Sequence, residues 1–144
     1  MKKFRIFEII AFITVLSLTV LAGISCGKSS QELSGVTWVL KSYGDAANPT
    51  KAIAGHEPTL TFDKEKMKIG GNGGVNSYGG DYAVTGDKIT VSGIIQTEMA
   101  STNPALNTQE NSYFKILGSA RSFKIEGGQL MVTGSEGVLV FSTK

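Results

Sequence analysis

The chain has 144 residues, one cysteine, one histidine, and 14 basic against 12 acidic side chains, a length that fits one domain able to bury a core without disulfide staples. Lys2, Lys3 and Arg5 against Glu8 account for the formal charge of +2, so from residue 26 onward the two signs balance at eleven each. No run of Lys or Arg remains there, and a phosphate backbone has nothing to hold; nucleic acid is not an expected partner.

The first element is a leader. Met1-Lys2-Lys3-Phe4-Arg5 is basic, residues 9–22 form an uncharged apolar stretch of 14, and small residues follow. A membrane span needs about 20 apolar residues, so this order of basic, apolar and small is read as a cleaved secretory signal over residues 1–25. Gly23-Ile24-Ser25-Cys26 is similar to a lipobox, although leucine is usual where Gly23 stands and Leu21 comes two places early. The only cysteine of the chain occupies the one position that pattern requires. Cys26 is therefore the expected lipidation site, with acyl chains holding the protein in the cell envelope, facing away from the cytoplasm. The host decides between outer and plasma membrane. Residues 26–32 read as a polar tether, and residues 33–144 as the folded domain.

From Leu33 the pattern becomes short runs of period two, separated by Gly, Asn and Asp, which predicts half-buried strands. Val36, Trp38 and Leu40 mark a first strand, and Leu60 and Phe62 a second entered from Pro58. Tyr82 and Val84 face Ile89 and Val91 across Thr85-Gly86-Asp87, and Phe123 and Ile125 face Leu130 and Val132 across Gly127-Gly128. Both are hairpins, because glycine accepts positive φ. Residues 138–141 close the chain. The expected fold is mainly β, a small antiparallel meander or barrel-like domain of about seven or eight strands. One helix interrupts it after Asn103-Pro104, with Leu106, Tyr113, Phe114 and Leu117 on one face, Asn103 as cap and Gly118 as stop. Its stripe is expected to cover an open end or face of the sheet. Residues 44–57 carry no period and read as a loop.

Residues 70–80 are glycine-rich, but they make no phosphate cradle: the third glycine of a dinucleotide fingerprint would be Asn76, and no Lys-Ser or Lys-Thr follows. Tight turns and bulges are expected there. His56, beside Glu57, is the only base around which a Ser-His-Asp site could be built, which leaves a small envelope hydrolase as the alternative to a binding module. Asp63, Asp81 and Asp87 lack calcium-loop spacing, and no His/Cys cluster exists, so no metal or cofactor is expected. Glu98 and Glu110 are the one candidate carboxylate pair, although a solvated face or helix-turn contact accounts for them as well.

Four stretches in order resemble the META domain, the family of HslJ-like heat-shock and envelope proteins. They are Leu33-Ser34-Gly35-Val36-Thr37-Trp38, Gly73-Gly74-Val75-Asn76 with Gly80-Asp81-Tyr82, Thr97-Glu98-Met99-Ala100-Ser101, and Glu110 with Phe114 and Leu117. Val75 and Ser101 stand where the family pattern has cysteines. If those pair in relatives, this chain holds by packing alone, without a crosslink of about 2–4 kcal/mol. The resemblance implies a small β-barrel with a helix and a link to envelope stress, and it supplies no reaction and no catalytic residue. The expectation is a non-enzymatic, membrane-anchored envelope module with an unidentified envelope ligand or protein partner; a chaperone-like stress factor is a further alternative. Asn76, Tyr82, Thr97, Met99 and Glu110 are weighted toward structure. A ligand surface, if present, is expected where residues 70–80 meet residues 97–103, around Asn72, Asn76, Tyr82, Thr97 and Glu110.

Overall fold

The computed structural model describes residues 33–144; the leader, Cys26 and the tether lie outside the described residues. Among the described residues nine strands and one helix follow in order: β1 (Trp38–Gly44), β2 (Pro49–Lys51), β3 (Thr59–Asp63), β4 (Lys68–Asn72), β5 (Ser77–Thr85), β6 (Lys88–Gln96), α1 (Pro104–Gly118), β7 (Ala120–Glu126), β8 (Gln129–Gly134) and β9 (Gly137–Thr143). β1 and β3 to β9 run antiparallel, each to the next, and β9 closes back on β1 from Trp38↔Thr143 to Gly44↔Val138. The result is a closed eight-stranded barrel. β2 is the extra strand: it takes over the edge of β1 at Ser42–Gly44 where β3 stops.

The alternation read from the sequence is what closes the barrel. Trp38 and Leu40, Leu60 and Phe62, Ile89 and Val91, Leu130 and Val132, Leu139 and Phe141 all point inward and are buried in one core. Phe62 and Tyr82 meet edge to face at 5.0 Å, a geometry that the ring quadrupoles favour. The β3–β4, β5–β6 and β7–β8 turns lie at one end of the barrel, the hairpin end. Leu33 enters at that end, fully buried, and its carbonyl accepts from Trp38 Nε1 (2.9 Å). The β4–β5 and β8–β9 turns and α1 lie at the other, the helix end.

Helix α1 starts as the sequence specifies. Asn103 Oδ1 accepts from the Ala105 N–H (3.0 Å) with Pro104 in the first turn, and Ser119 N–H donates to Ile116 O after Gly118. Its apolar face, Leu106, Tyr113, Ile116 and Leu117, packs on the barrel mouth against β1, β6, β8 and β9. β6 and β7 are paired only at Lys88↔Ser122, because beyond that point the chain turns into α1 instead of continuing alongside β6.

Three sequence expectations are corrected. Val36 is exposed and precedes β1, since the chain turns at Gly35 (φ 83°) before the strand begins. Residues 44–57 hold β2, whose three side chains are all exposed and so carry no inward period. Residues 70–80 are mostly strand, the end of β4 and start of β5, with the expected turn between them and a break in register at Gly79/Asp81 against β6. Glycine is required in β4 by proximity: a Cβ at Gly71 would collide with the Thr59 carbonyl.

Candidate functional site

The turn joining β4 to β5 is built by its own short side chains. Asn72 Oδ1 accepts from the Gly74 N–H (2.7 Å), Gly73 N–H donates to Asn76 O (2.7 Å), and Gly74 takes φ 108°. This leaves the amides of Val75 and Asn76 pointing at α1. Glu110, 5% exposed, meets them: Oε1 accepts from Asn76 N–H (2.6 Å) and Val75 N–H (3.1 Å), and Oε2 from Asn76 Nδ2 (2.7 Å). A carboxylate accepting N–H bonds makes the stronger, charge-assisted kind. A Cβ at Gly73 would stand 2.6 Å from Glu110 Oε1 and 2.7 Å from Phe114 Cζ; the helix is seated directly on the turn.

Asn76, 3% exposed, continues the network into the segment after β6. Its Nδ2 also donates to Met99 O (2.9 Å), while Oδ1 accepts from Met99 N–H (2.8 Å) and Thr97 Oγ1 (2.8 Å). An Asn amide has two donor hydrogens and two acceptor lone pairs, and all four are used here. Two neighbours of Glu110 on α1 repeat the device. Asn107 brackets Ser101, accepting from its N–H (3.0 Å) and donating to its carbonyl (2.8 Å). Gln109, fully buried, accepts from Ile53 N–H (2.7 Å) and donates to His56 O (2.8 Å). Three side chains within about one turn of the helix, Asn107, Gln109 and Glu110, thus fasten three loops.

Beneath them lies a buried phenol pair. The hydroxyls of Tyr78 and Tyr113 are 2.6 Å apart, and both reach Thr59 O, at 2.9 and 3.3 Å. Burial pushes both phenols well above the ordinary tyrosine range, because the apolar core disfavours the phenolate.

The structure brings together Asn72, Asn76, Thr97, Met99 and Glu110, and sets Tyr82 apart. Tyr82 is buried against Phe62, deeper in the barrel, so its ring is part of the core and not of the candidate ligand surface. Glu98 is exposed and bonds nothing in this network, so it does not pair with Glu110. His56 is exposed; its main chain is held by Gln109 and Ile53, and its imidazole has no hydrogen-bond partner among the described residues. Asp63 caps the β3–β4 turn, where the Lys66 amide holds its carboxyl below the usual range. Asp81 pairs with Lys68 at 2.5 Å and Asp87 with Lys88 at 3.8 Å. Among the described residues no group of three or more His, Cys, Asp or Glu side chains is placed to hold a metal ion. Tyr78, Asn107 and Gln109 were not singled out from the sequence. Gln109 had a readable signal: with Glu110 it sits on the stripe defined by Leu106, Tyr113 and Ile116, where a polar residue needs a buried partner.

These features define a class: a small closed antiparallel barrel with a single helix latched over its mouth by buried Asn, Gln and Glu side chains. The chain belongs to the META domain family, which matches it over residues 31–144. Among solved structures it is similar to a protein from Burkholderia xenovorans, determined by NMR, with 22% identity, a TM-score of 0.65, and coverage of 81% of this chain and 86% of that one. A second NMR structure shares 23% identity at a TM-score of 0.61, covering 78% and 92%. A duf4847 family protein from Bacteroides vulgatus shares 12% at a TM-score of 0.57, covering 79% and 96%. At these identities the likeness is one of fold. The comparison with curated proteins finds no match.

Proposed function

We propose that this protein is an envelope module, anchored through lipid on Cys26, that acts by binding or as a structural part and carries out no reaction of its own. The observation that carries this reading is the saturation of the family-signature residues. Asn76 has all four hydrogen-bonding positions occupied within the fold, and Glu110 has three partners in the same turn. Groups so committed hold a helix in place; a catalytic acid or base needs a free position toward substrate. The anchor reading is supported by the basic, apolar and small order of residues 1–25 and by the placing of the sole cysteine after them.

The test is intact mass of the protein taken from the membrane fraction, beside Cys26→Ala. The expected wild-type mass lacks residues 1–25 and carries acyl chains, and the variant lacks the acyl mass. A full-length, unacylated wild type would overturn the anchor. The hydrolase alternative is tested separately by His56→Ala on an ester and peptide panel, where a His56-dependent turnover would overturn the non-enzymatic reading.

A further inference from the structure

We propose that the hairpin end of the barrel lies against the lipid bilayer and that the helix end, with the exposed Ile95 and Met99, faces away from it. This rests on the reading of Cys26 as lipidated.

The first ground is where the chain enters. Leu33 is locked into the core at the hairpin end by burial of its side chain and by the bond from Trp38 Nε1 to its carbonyl. Lys144 N–H, bonded to Thr37 O, marks the same end. Only residues 27–32 separate Cys26 from Leu33, and the seven Cα steps between them reach about 25 Å at full extension. A seven-residue strand such as β1 or β9 is itself about 23 Å long. Lipid on Cys26 therefore tethers the hairpin end directly, whereas the helix end reaches the headgroups only with the barrel inverted and the tether drawn out along its whole length.

The second ground is what the hairpin end displays. Met67, 41% exposed, stands in the β3–β4 turn between Lys66 and Lys68 with φ 54°, the one non-glycine residue at positive φ among the described residues. A side chain held there costs about 1 kcal/mol, and here the outcome is a thioether turned to solvent beside ammonium groups. Lys66 and Lys68 pair with Asp63 and Asp81 at 3.6 and 2.5 Å, and both pairs are at the surface, where ion pairs exchange readily for other anions. Val36, also exposed, lies three residues beyond the tether's entry. An apolar tip beside lysines suits the bilayer interface, where the apolar group enters the acyl boundary and the ammoniums meet phosphates. Ile95 and Met99, 78% and 61% exposed, are thereby presented to the aqueous side, Ile95 from β6 and Met99 with its main chain held by Asn76.

The experiment uses lipidated full-length protein in vesicles of phosphatidylethanolamine and phosphatidylglycerol containing nitroxide-labelled lipid. With the Cys26 thiol acylated, a second cysteine at Met67→Cys, Glu126→Cys or Ile95→Cys carries the fluorophore; all three positions are exposed and outside the core. Quenching several-fold stronger at positions 67 and 126 than at 95 is the expected result. Equal or stronger quenching at 95, or no quenching at any position in protein whose mass shows acylation, overturns the orientation and leaves the anchor standing. An unacylated mass overturns the orientation together with the anchor.

Discussion

Replacing Glu110 by alanine removes the acceptor for three N–H groups at once: the Val75 and Asn76 amides and Asn76 Nδ2. Each buried donor left without a partner costs about 1–3 kcal/mol. Val75 is only part-buried, and water reaching its amide offsets that share. Two donors remain fully uncompensated, together with the space the side chain vacates, which gives a loss of about 3–5 kcal/mol. For a domain of this size that is a fall in melting temperature of roughly 12–20 °C. Glu110→Gln keeps an oxygen toward the two backbone amides but sets an NH2 against Asn76 Nδ2, and should lose about 1–3 kcal/mol. The assay is denaturant unfolding followed by far-ultraviolet circular dichroism on residues 33–144 and their variants, with Asn76→Ala and the double variant completing a cycle. The coupling between the two positions should be about 1–3 kcal/mol. A Glu110→Ala variant within about 0.5 kcal/mol of wild type, the range of an ordinary surface change, would refute the reasoning.

Gly73→Ala places a methyl against Glu110 Oε1 and the Phe114 ring and should cost about 2–3 kcal/mol by overpacking, measured by the same unfolding curves. The Tyr78–Tyr113 pair predicts alkaline sensitivity. Both phenols are raised in the folded state, so their contribution is complete below about pH 10, the unfolded value. As pH rises beyond that point the unfolded chain loses protons that the folded chain keeps, and stability should fall by about 1.4 kcal/mol per pH unit for each phenol until the folded pKa is reached. The double variant Tyr78→Phe/Tyr113→Phe should be less stable at neutral pH yet show a flatter slope above pH 10; an unchanged slope would remove the pair from the account. Leu33→Ala opens a cavity under Trp38 at the hairpin end and should cost about 2–5 kcal/mol, with a red shift of emission from the single tryptophan.

The elements legible in the sequence are those with two distinct faces. β1, β3, β6, β8 and the Asn103–Pro104 helix start each carry a period and a boundary residue, and they fold as that pattern dictates. β4 escaped because Gly70 and Gly71 have no side chains to alternate, and the glycine at 71 answers to the closeness of Thr59 across the ladder. β2 escaped because Pro49, Thr50 and Lys51 bury nothing. Tyr82 was grouped with a surface by its place in the family pattern, although its alternation with Val84 already pointed inward. The latch was half visible. Asn76 and Glu110 were marked by resemblance, but their partnership spans 34 residues and Gln109 reaches loop atoms 53 and 56 residues away. Separations of that kind leave no local trace beyond polar residues on an apolar stripe.

The central claim is that the signature residues fasten the helix to the barrel. Native-state hydrogen exchange read at the amides of Asn76 and Met99 tests it most directly. Both lie in a turn or loop, yet the account predicts exchange as slow as that of the core strands, opening only with global unfolding, and a large acceleration in Glu110→Gln. Exchange at the rate of a solvated loop in the wild-type protein would contradict it.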